Sequence, residues 1–201
     1  MTDFPVPEGI PTHVTLGELR LLQNYAHEAG TVLEIGTMYG FTCIGMALAG
    51  AFVTSVDPHN QSDTQQINSL LPFMENLARH GFGADSAMVN VVPERIEDAV
   101  KHEWFDVKWG MTFIDGDHIW PAPMRDARIA LTHLRAPGYV AFHDVTPNWP
   151  GVWRTVRELT ASGELMQVAQ ERFLRVYQAV AYAQSNASGV SGKSSTPMVA
   201  E

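Results

Sequence analysis

Two short stretches hold most of the residues that could do chemistry. One is Ile114-Asp115-Gly116-Asp117-His118, the other Phe142-His143-Asp144. Each places carboxylate and imidazole at the end of an apolar run. Asp115, His143 and Asp144 could supply three ligands to a divalent cation. Oxygen ligands favour Mg²⁺ or Ca²⁺, and an imidazole tilts such a site towards Mn²⁺, Fe²⁺, Zn²⁺ or Ni²⁺. His118, one short turn past Asp115, is placed to take a proton from a hydroxyl bound there. Either stretch alone also reads as turn chemistry, because Asp side chains fold onto nearby N–H groups. The pairing of the two, beside a third feature, favours the chemical reading.

That third feature is Val32 to Thr42, V-L-E-I-G-T-M-Y-G-F-T. A β-branched run ends on Gly36, Gly40 follows, and small and apolar residues then open a helix. Glycines at such a turn let backbone approach a ligand, and the helix N-terminus offers unpaired N–H groups. Asp57 closes the next strand, Phe52 to Val56, roughly 20 residues further on, where an acid can accept hydrogen bonds from ribose hydroxyls. The spacing is G-x-x-x-G rather than the G-x-G-x-x-G of a dinucleotide site. Glu34 beside the turn would repel a pyrophosphate and suits a ligand carrying an ammonium group. S-adenosylmethionine is such a ligand, and NAD is not.

The elements that must position these groups alternate. Thr15-Leu16-Gly17-Glu18 reads as a capping box before an amphipathic helix that ends at Gly30. Helices are expected from about Thr64 to Arg79, Ile96 to His102, Pro121 to Leu134 and Val152 to Ser162. Strands are expected at Val89 to Val92, Met111 to Ile114 and Tyr139 to Phe142. Two final strands, Leu165 to Ala169 and Phe173 to Ala181, have no helix between them and predict an antiparallel hairpin at one edge. The class is α/β: a Rossmann-like, doubly wound, mostly parallel sheet with helices on both faces. Ligands of such sheets bind beyond the carboxyl ends of the strands, so all three features converge on one pocket. Residues 1–183 are expected to form one domain, with 1–14 an extended arm and 184–201 a disordered tail.

Composition narrows the partners. The 201 residues are 45% hydrophobic and 17% charged, ordinary for a globular domain. A formal net charge of -9 argues against nucleic acid or an anionic membrane as a partner. The single cysteine, Cys43, excludes an intrachain disulfide and reads as a packing residue. With no membrane-length apolar run and no leader pattern, a cytoplasmic location is expected. Met1 to Pro11 could exchange between subunits of a homo-oligomer. Trp120, Trp149 and Trp153 flank the acidic strand ends as candidates for the wall of an acceptor pocket.

L-E-I-G-T-M-Y-G-F-T, S-V-D-P, F-I-D-G-D-H and L-R-A-P-G-Y-V-A-F-H-D-V, followed by G-V-W-R-T-V-R-E-L, resemble a class I S-adenosylmethionine-dependent methyltransferase. The nearest branch is the catechol O-methyltransferase-like group, with relatives acting on sugars and antibiotics, and the resemblance runs from about Thr15 to Tyr177. It implies a seven-stranded sheet with the last strand pair reversed. It also implies that Glu34, Gly36, Tyr39, Gly40 and Thr42 hold the methionine part of the cofactor, and Asp57 the ribose. Asp115, His143 and Asp144 fall on metal-ligand positions, Asp115 also facing the cofactor, and His118 on that of the catalytic base. Glu94, Arg95 and Ile96 stand where the branch has a glycine and a small polar residue, which makes Arg95 the adenine-side candidate. The position of His143 is more often acidic. The activity implied is metal-assisted O-methylation of a small hydroxylated molecule. A second class of function is a cofactor-binding partner or regulator without transfer activity.

Overall fold

The computed structural model describes residues 2–59 and 68–180. Helix α1, Leu16–Ala29, opens with the capping box expected of it. Thr15 Oγ1 accepts from the Glu18 N–H (3.3 Å), and Glu18 Oε2 accepts from the Thr15 N–H (2.8 Å). Gly30 ends the helix in the left-handed region, at φ 73°, which glycine adopts without penalty. Then follow β1 (Thr31–Ile35), α2 (Phe41–Leu48), β2 (Phe52–Val56), α3 (Leu70–Arg79), β3 (Val89–Val92) and α4 (Ile96–Ala99). After a 3₁₀ turn at Glu103–Phe105 come β4 (Trp109–Ile114), α5 (Ala122–Thr132), β5 (Leu134–Phe142), α6 (Pro150–Ala161), β6 (Leu165–Glu171) and β7 (Leu174–Ala179).

The seven strands form one sheet in the order β3-β2-β1-β4-β5-β7-β6. Neighbours from β3 to β5 run parallel. β7 lies antiparallel to both β5 and β6, so the terminal hairpin is the reversed edge. Alternate strand residues feed two cores, because successive side chains leave a strand on opposite faces. Val32, Met111, Phe113 and Ala141 pack with α1, α2 and α3. Leu33, Ile114, Val140 and Phe142 pack with α4, α5 and α6. β4 is buried along its whole length, as a central parallel strand must be. No helix among the described residues is long and apolar enough to cross a membrane.

Several boundaries differ from expectation. The helix expected from Thr64 begins at Leu70, and residues 64–67 lie outside the described ones. Pro72 explains the late start: in the first turn its missing N–H costs nothing, whereas mid-helix it would break the ladder. α4 stops at Ala99 and gives way to the 3₁₀ turn. β5 begins at Leu134 and runs through Pro137-Gly138, which were expected to lie outside it. Trp109 pairs with Leu134 and Met111 with Tyr139, so the irregular register accommodates the extra residues. The arm packs against its own helix: Arg20 bonds the Phe4 carbonyl, and Gln23 Nε2 bonds those of Pro5 (2.7 Å) and Gly45 (3.0 Å). The expected tail, 184–201, lies outside the described residues.

Candidate active site

A cavity of about 370 Å³ opens at the carboxyl ends of β1, β2, β4 and β5. That size falls within the range of small-ligand sites. Its wall includes Gly36, Tyr39, Thr42, Asp57, Arg95, Asp115, His118, His143 and Asp144, so most of the sequence candidates meet there.

The turn after β1 is built as a close approach. Gly36 has φ 89°, and a Cβ on it would stand 2.3 Å from the Asp115 carbonyl oxygen. Only glycine lets the ends of β1 and β4 touch here. Gly40 has φ 88°, and a Cβ would meet the Phe73 ring at 2.4 Å, so this glycine serves the packing of α3. Gly40 is not part of the cavity wall.

Glu34 differs from expectation more sharply. It is fully buried beneath the turn and absent from the cavity wall. Its Oε2 accepts from Thr37 Oγ1 and its Oε1 from Thr42 Oγ1, each at 2.6 Å. Burial, with Asp115 and Asp57 nearby, pushes its pKa up to about 8 against the pull of the two hydroxyls. At neutral pH Glu34 is therefore a protonated brace for the turn, and not a free carboxylate facing an ammonium group. Thr37, which the sequence reading passed over, joins this brace to Ser55 at 2.5 Å.

Asp57 braces the same turn from β2. Its Oδ2 accepts from the Thr37 and Met38 N–H groups at 2.7 and 2.8 Å, and Oδ1 from the His59 N–H at 2.7 Å. Oδ2 is filled by its two donors, and Oδ1 keeps one lone pair to offer a ligand. Met38, His59 and Asp144 all have φ between 51° and 56°. Non-glycine residues in this left-handed region carry a conformational cost that concentrates at functional sites.

At the other end the acidic strand ends converge. His118 Nε2 lies 3.1 Å from Asp144 Oδ2 and 3.7 Å from Asp115 Oδ1. Asp115, His118 and Asp144 can each turn one ligand atom to a common point, all within 4.8 Å of one another. Adjacent ligands of an octahedral ion with bonds of about 2.1 Å stand about 3 Å apart, so this trio fits a divalent cation. The trio differs from the expected one, since His118 joins it.

His143 stands behind instead. It is 4% exposed, with Nδ1 3.4 Å from Asp115 Oδ1 and 3.6 Å from Asp144 Oδ2. Its Nε2 faces Glu18 Oε1 of α1 at 3.5 Å. Burial opposes its charge, but the carboxylates prevail and raise its pKa to about 11. His143 is thus a cationic partner of Asp115, Asp144 and Glu18, the last a contact that its capping role concealed in the sequence. Asp144, although half-buried, is held well below the usual carboxylate range by His118 and His143.

The His118 end of the cavity is aromatic. The Trp149 ring packs on His118 with centroids 4.5 Å apart, and Arg154 lies 3.8 Å over the Trp120 ring. Trp149 belongs to the cavity wall, while Trp120 and Trp153 do not. Pro11 to Val14 of the arm complete that wall.

Comparisons with known proteins agree with this architecture. The cofactor-bound Rv0187 from MTB matches with a TM-score of 0.69, at 18% identity over 85% of this chain and 84% of that one. The O-methyltransferase from Bacillus cereus in complex with SAH gives 0.66, at 18% identity over 84% of each chain. The O-methyltransferase NovP gives 0.67, at 17% identity over 84% of this chain and 81% of its own. At these identities the likeness shows a shared fold. No curated protein sequence matches the chain. A family model described as a methyltransferase domain matches residues 33–145, from β1 through both acidic strand ends. That span is more than half of the 201 residues, and the chain belongs to this methyltransferase-domain family.

Proposed function

We propose that the protein is an S-adenosylmethionine-dependent, divalent-metal-assisted O-methyltransferase acting on a small hydroxylated acceptor such as a sugar, a catechol or a natural product. The observation that carries this reading is that one cavity holds both halves of the reaction. The glycine turn and Asp57 form one end, and Asp115, His118 and Asp144 the other. The family match and the O-methyltransferases among the similar folds support it.

S-adenosylmethionine would supply a sulfonium-activated methyl group. Asp57 would accept hydrogen bonds from its ribose, and the N–H groups at the start of α2 would face its amino-acid end. The acceptor would lie against Trp149, with its hydroxyl among Asp115, His118 and Asp144. A divalent cation held by Asp115 and Asp144 would lower the pKa of that hydroxyl. His118, left free of the metal, would take the proton, with Asp144 balancing the charge formed. These residues would hold the acceptor oxygen in line with the sulfonium methyl, whose carbon–sulfur bond would break as the new carbon–oxygen bond formed. Holding both reactants in line supplies much of the acceleration.

Purified protein, labelled cofactor and a panel of sugars and catechols test the proposal, together with chelation and His118→Ala. The expected result is cofactor affinity unchanged in His118→Ala, with transfer slowed roughly 10²-fold or more. Activity should vanish on chelation and return with Mn²⁺ or Mg²⁺. Full activity after chelation removes the metal from the proposal. Cofactor binding without turnover of any acceptor favours a binding protein instead.

A further inference from the structure

Outside the cavity wall, around the start of α6 and the β6–β7 turn, arginines lie over aromatic rings. Arg154 covers Trp120 at 3.8 Å, Arg172 covers Phe173 at 4.8 Å and Arg175 covers Trp153 at 5.7 Å. The hairpin that carries the last two is fastened to the strand end of Asp144. The Val145 N–H donates to the Phe173 carbonyl at 3.0 Å, and Arg175 NH1 donates to the Val145 carbonyl. The Phe173 N–H donates to Glu18 Oε1 at 3.0 Å, behind His143. Both backbone groups of the residue after Asp144 are therefore taken by this hairpin.

Arg172 is the unusual member. Its φ of 46° is the left-handed conformation that glycine or asparagine fills at lower cost in a two-residue hairpin turn. Its exposed guanidinium makes no hydrogen bond or ion pair among the described residues. The adjacent Glu171 turns its carboxylate to α1 instead, where a Cβ on Gly17 would stand 3.0 Å from Glu171 Oε1. Arg154, by contrast, gives its Nε to Glu158 Oε1 at 2.7 Å. Stacking on a ring steadies the stem of an arginine and leaves its fork of donors for an oxyanion. The chain as a whole, with 13 basic and 22 acidic residues, repels anions, so an unpaired arginine on a strained turn beside the site is a local provision.

We infer that Arg172, with Arg175 on the same hairpin, forms an oxyanion site beside the His118 end of the cavity, and that it selects acceptors bearing a phosphate or carboxylate besides the hydroxyl that is methylated. The selection of acceptors rests on the reading of this cavity as a methyl-transfer site; the oxyanion site does not.

Arg172→Gly separates an anion contact from a structural role, because glycine removes the guanidinium and the backbone strain together. Its melting temperature should stay close to that of the parent. Titration of sodium phosphate at low ionic strength, followed by ³¹P NMR, should show saturable binding to the parent with a Kd on the order of millimolar. Arg172→Gly should weaken that binding about tenfold or more, and Arg175→Gln should weaken it as well. In turnover, 3,4-dihydroxybenzoate should exceed its neutral counterpart 3,4-dihydroxybenzamide in kcat/KM by about tenfold, and Arg172→Gly should narrow the gap to about threefold or less. Absence of saturable phosphate binding overturns the site. Equal binding by the parent and Arg172→Gly does so too, since the phosphate would then be an adventitious ion only. Equal turnover of the two acceptors by the parent overturns the selection. Phosphate binding lost in Arg172→Gly, with no acceptor methylated by the parent, would uphold the oxyanion site and remove the transferase reading instead.

Discussion

His143 Nε2 stands 3.5 Å from Glu18 Oε1, which joins the first helix to the acidic end of β5 through a buried charge pair. Glu18 also accepts from the Thr15 and Phe173 N–H groups, so one carboxylate ties a helix cap, the β6–β7 turn and the site together. Its charge is favoured despite burial by those hydrogen bonds and by His143.

Removing the imidazolium leaves Asp115, Asp144 and Glu18 facing one another. His143→Ala should cost about 2–4 kcal/mol at pH 7, somewhat below a fully buried pair because the two aspartates reach solvent. The pH dependence follows from the shifts. A folded pKa of about 11 against 6.5 gives stability that is complete below pH 6.5 and is lost as pH rises towards 11. Asp144, shifted down from 3.8, contributes above that pH and loses its contribution as pH falls. Urea denaturation across pH should show parent and variant furthest apart between these limits. Parallel curves would mean that His143 is neutral in the folded protein.

Glu34→Gln keeps the shape and both hydroxyl contacts of a group already protonated at neutral pH. The unfolded carboxyl is already ionised at pH 7 while the folded one is not, so the neutral isostere should be the more stable form there, by on the order of 1–3 kcal/mol. Because the folded pKa of about 8 exceeds the ordinary 4.5, the parent loses stability from this group as pH rises through that interval. The variant should therefore melt at higher temperature than the parent at pH 9. A destabilised variant at that pH would show that the charge is useful.

Asp57→Ala removes three backbone hydrogen bonds from the turn together with the contacts expected to ribose. Cofactor affinity should fall roughly tenfold to hundredfold, and metal binding should not change. Titrations with S-adenosylmethionine and Mn²⁺ read the two separately. Equal cofactor affinity would place the adenosine elsewhere.

Gly151 opens α6 against the loop that carries His118. A Cβ there would stand 2.2 Å from the His118 carbonyl oxygen and 2.8 Å from the Trp120 nitrogen. Gly151→Ala must displace that loop at a cost of about 1–3 kcal/mol. Transfer should slow by about tenfold or more while cofactor affinity holds, since small misplacements of a reacting group are expensive. Single-turnover rates beside binding isotherms test this, and an unchanged rate would show that the loop can shift without moving the imidazole.

Much of this was legible in the residues. The capping box at Thr15, the strand ends at Asp57, Asp115 and Asp144, and the edge hairpin all announce themselves through local rules of spacing and turn chemistry. What the sequence hid was long-range. Nothing local distinguishes Glu18 as a capping acid from Glu18 as the partner of His143. Glu34 lies in a motif that suggests ligand contact, yet Thr37 and Thr42 fold over it. The late start of α3 was readable from Pro72, whereas the entry of Pro137-Gly138 into β5 depends on a register that only the neighbouring strand sets. The roles of His118 and His143 diverge through burial, since identical side chains meet different surroundings.

The clasp of Gln23 on both Pro5 and Gly45 makes the N-terminal arm a fixed part of the molecule. Beyond the clasp, Pro11 to Val14 run directly into the cavity wall. For anyone attaching the protein to a surface or a fusion partner, the first residues are therefore the wrong handle. Force applied there would be transmitted to the cavity wall, and a fluorophore placed there would report on the cavity's occupancy.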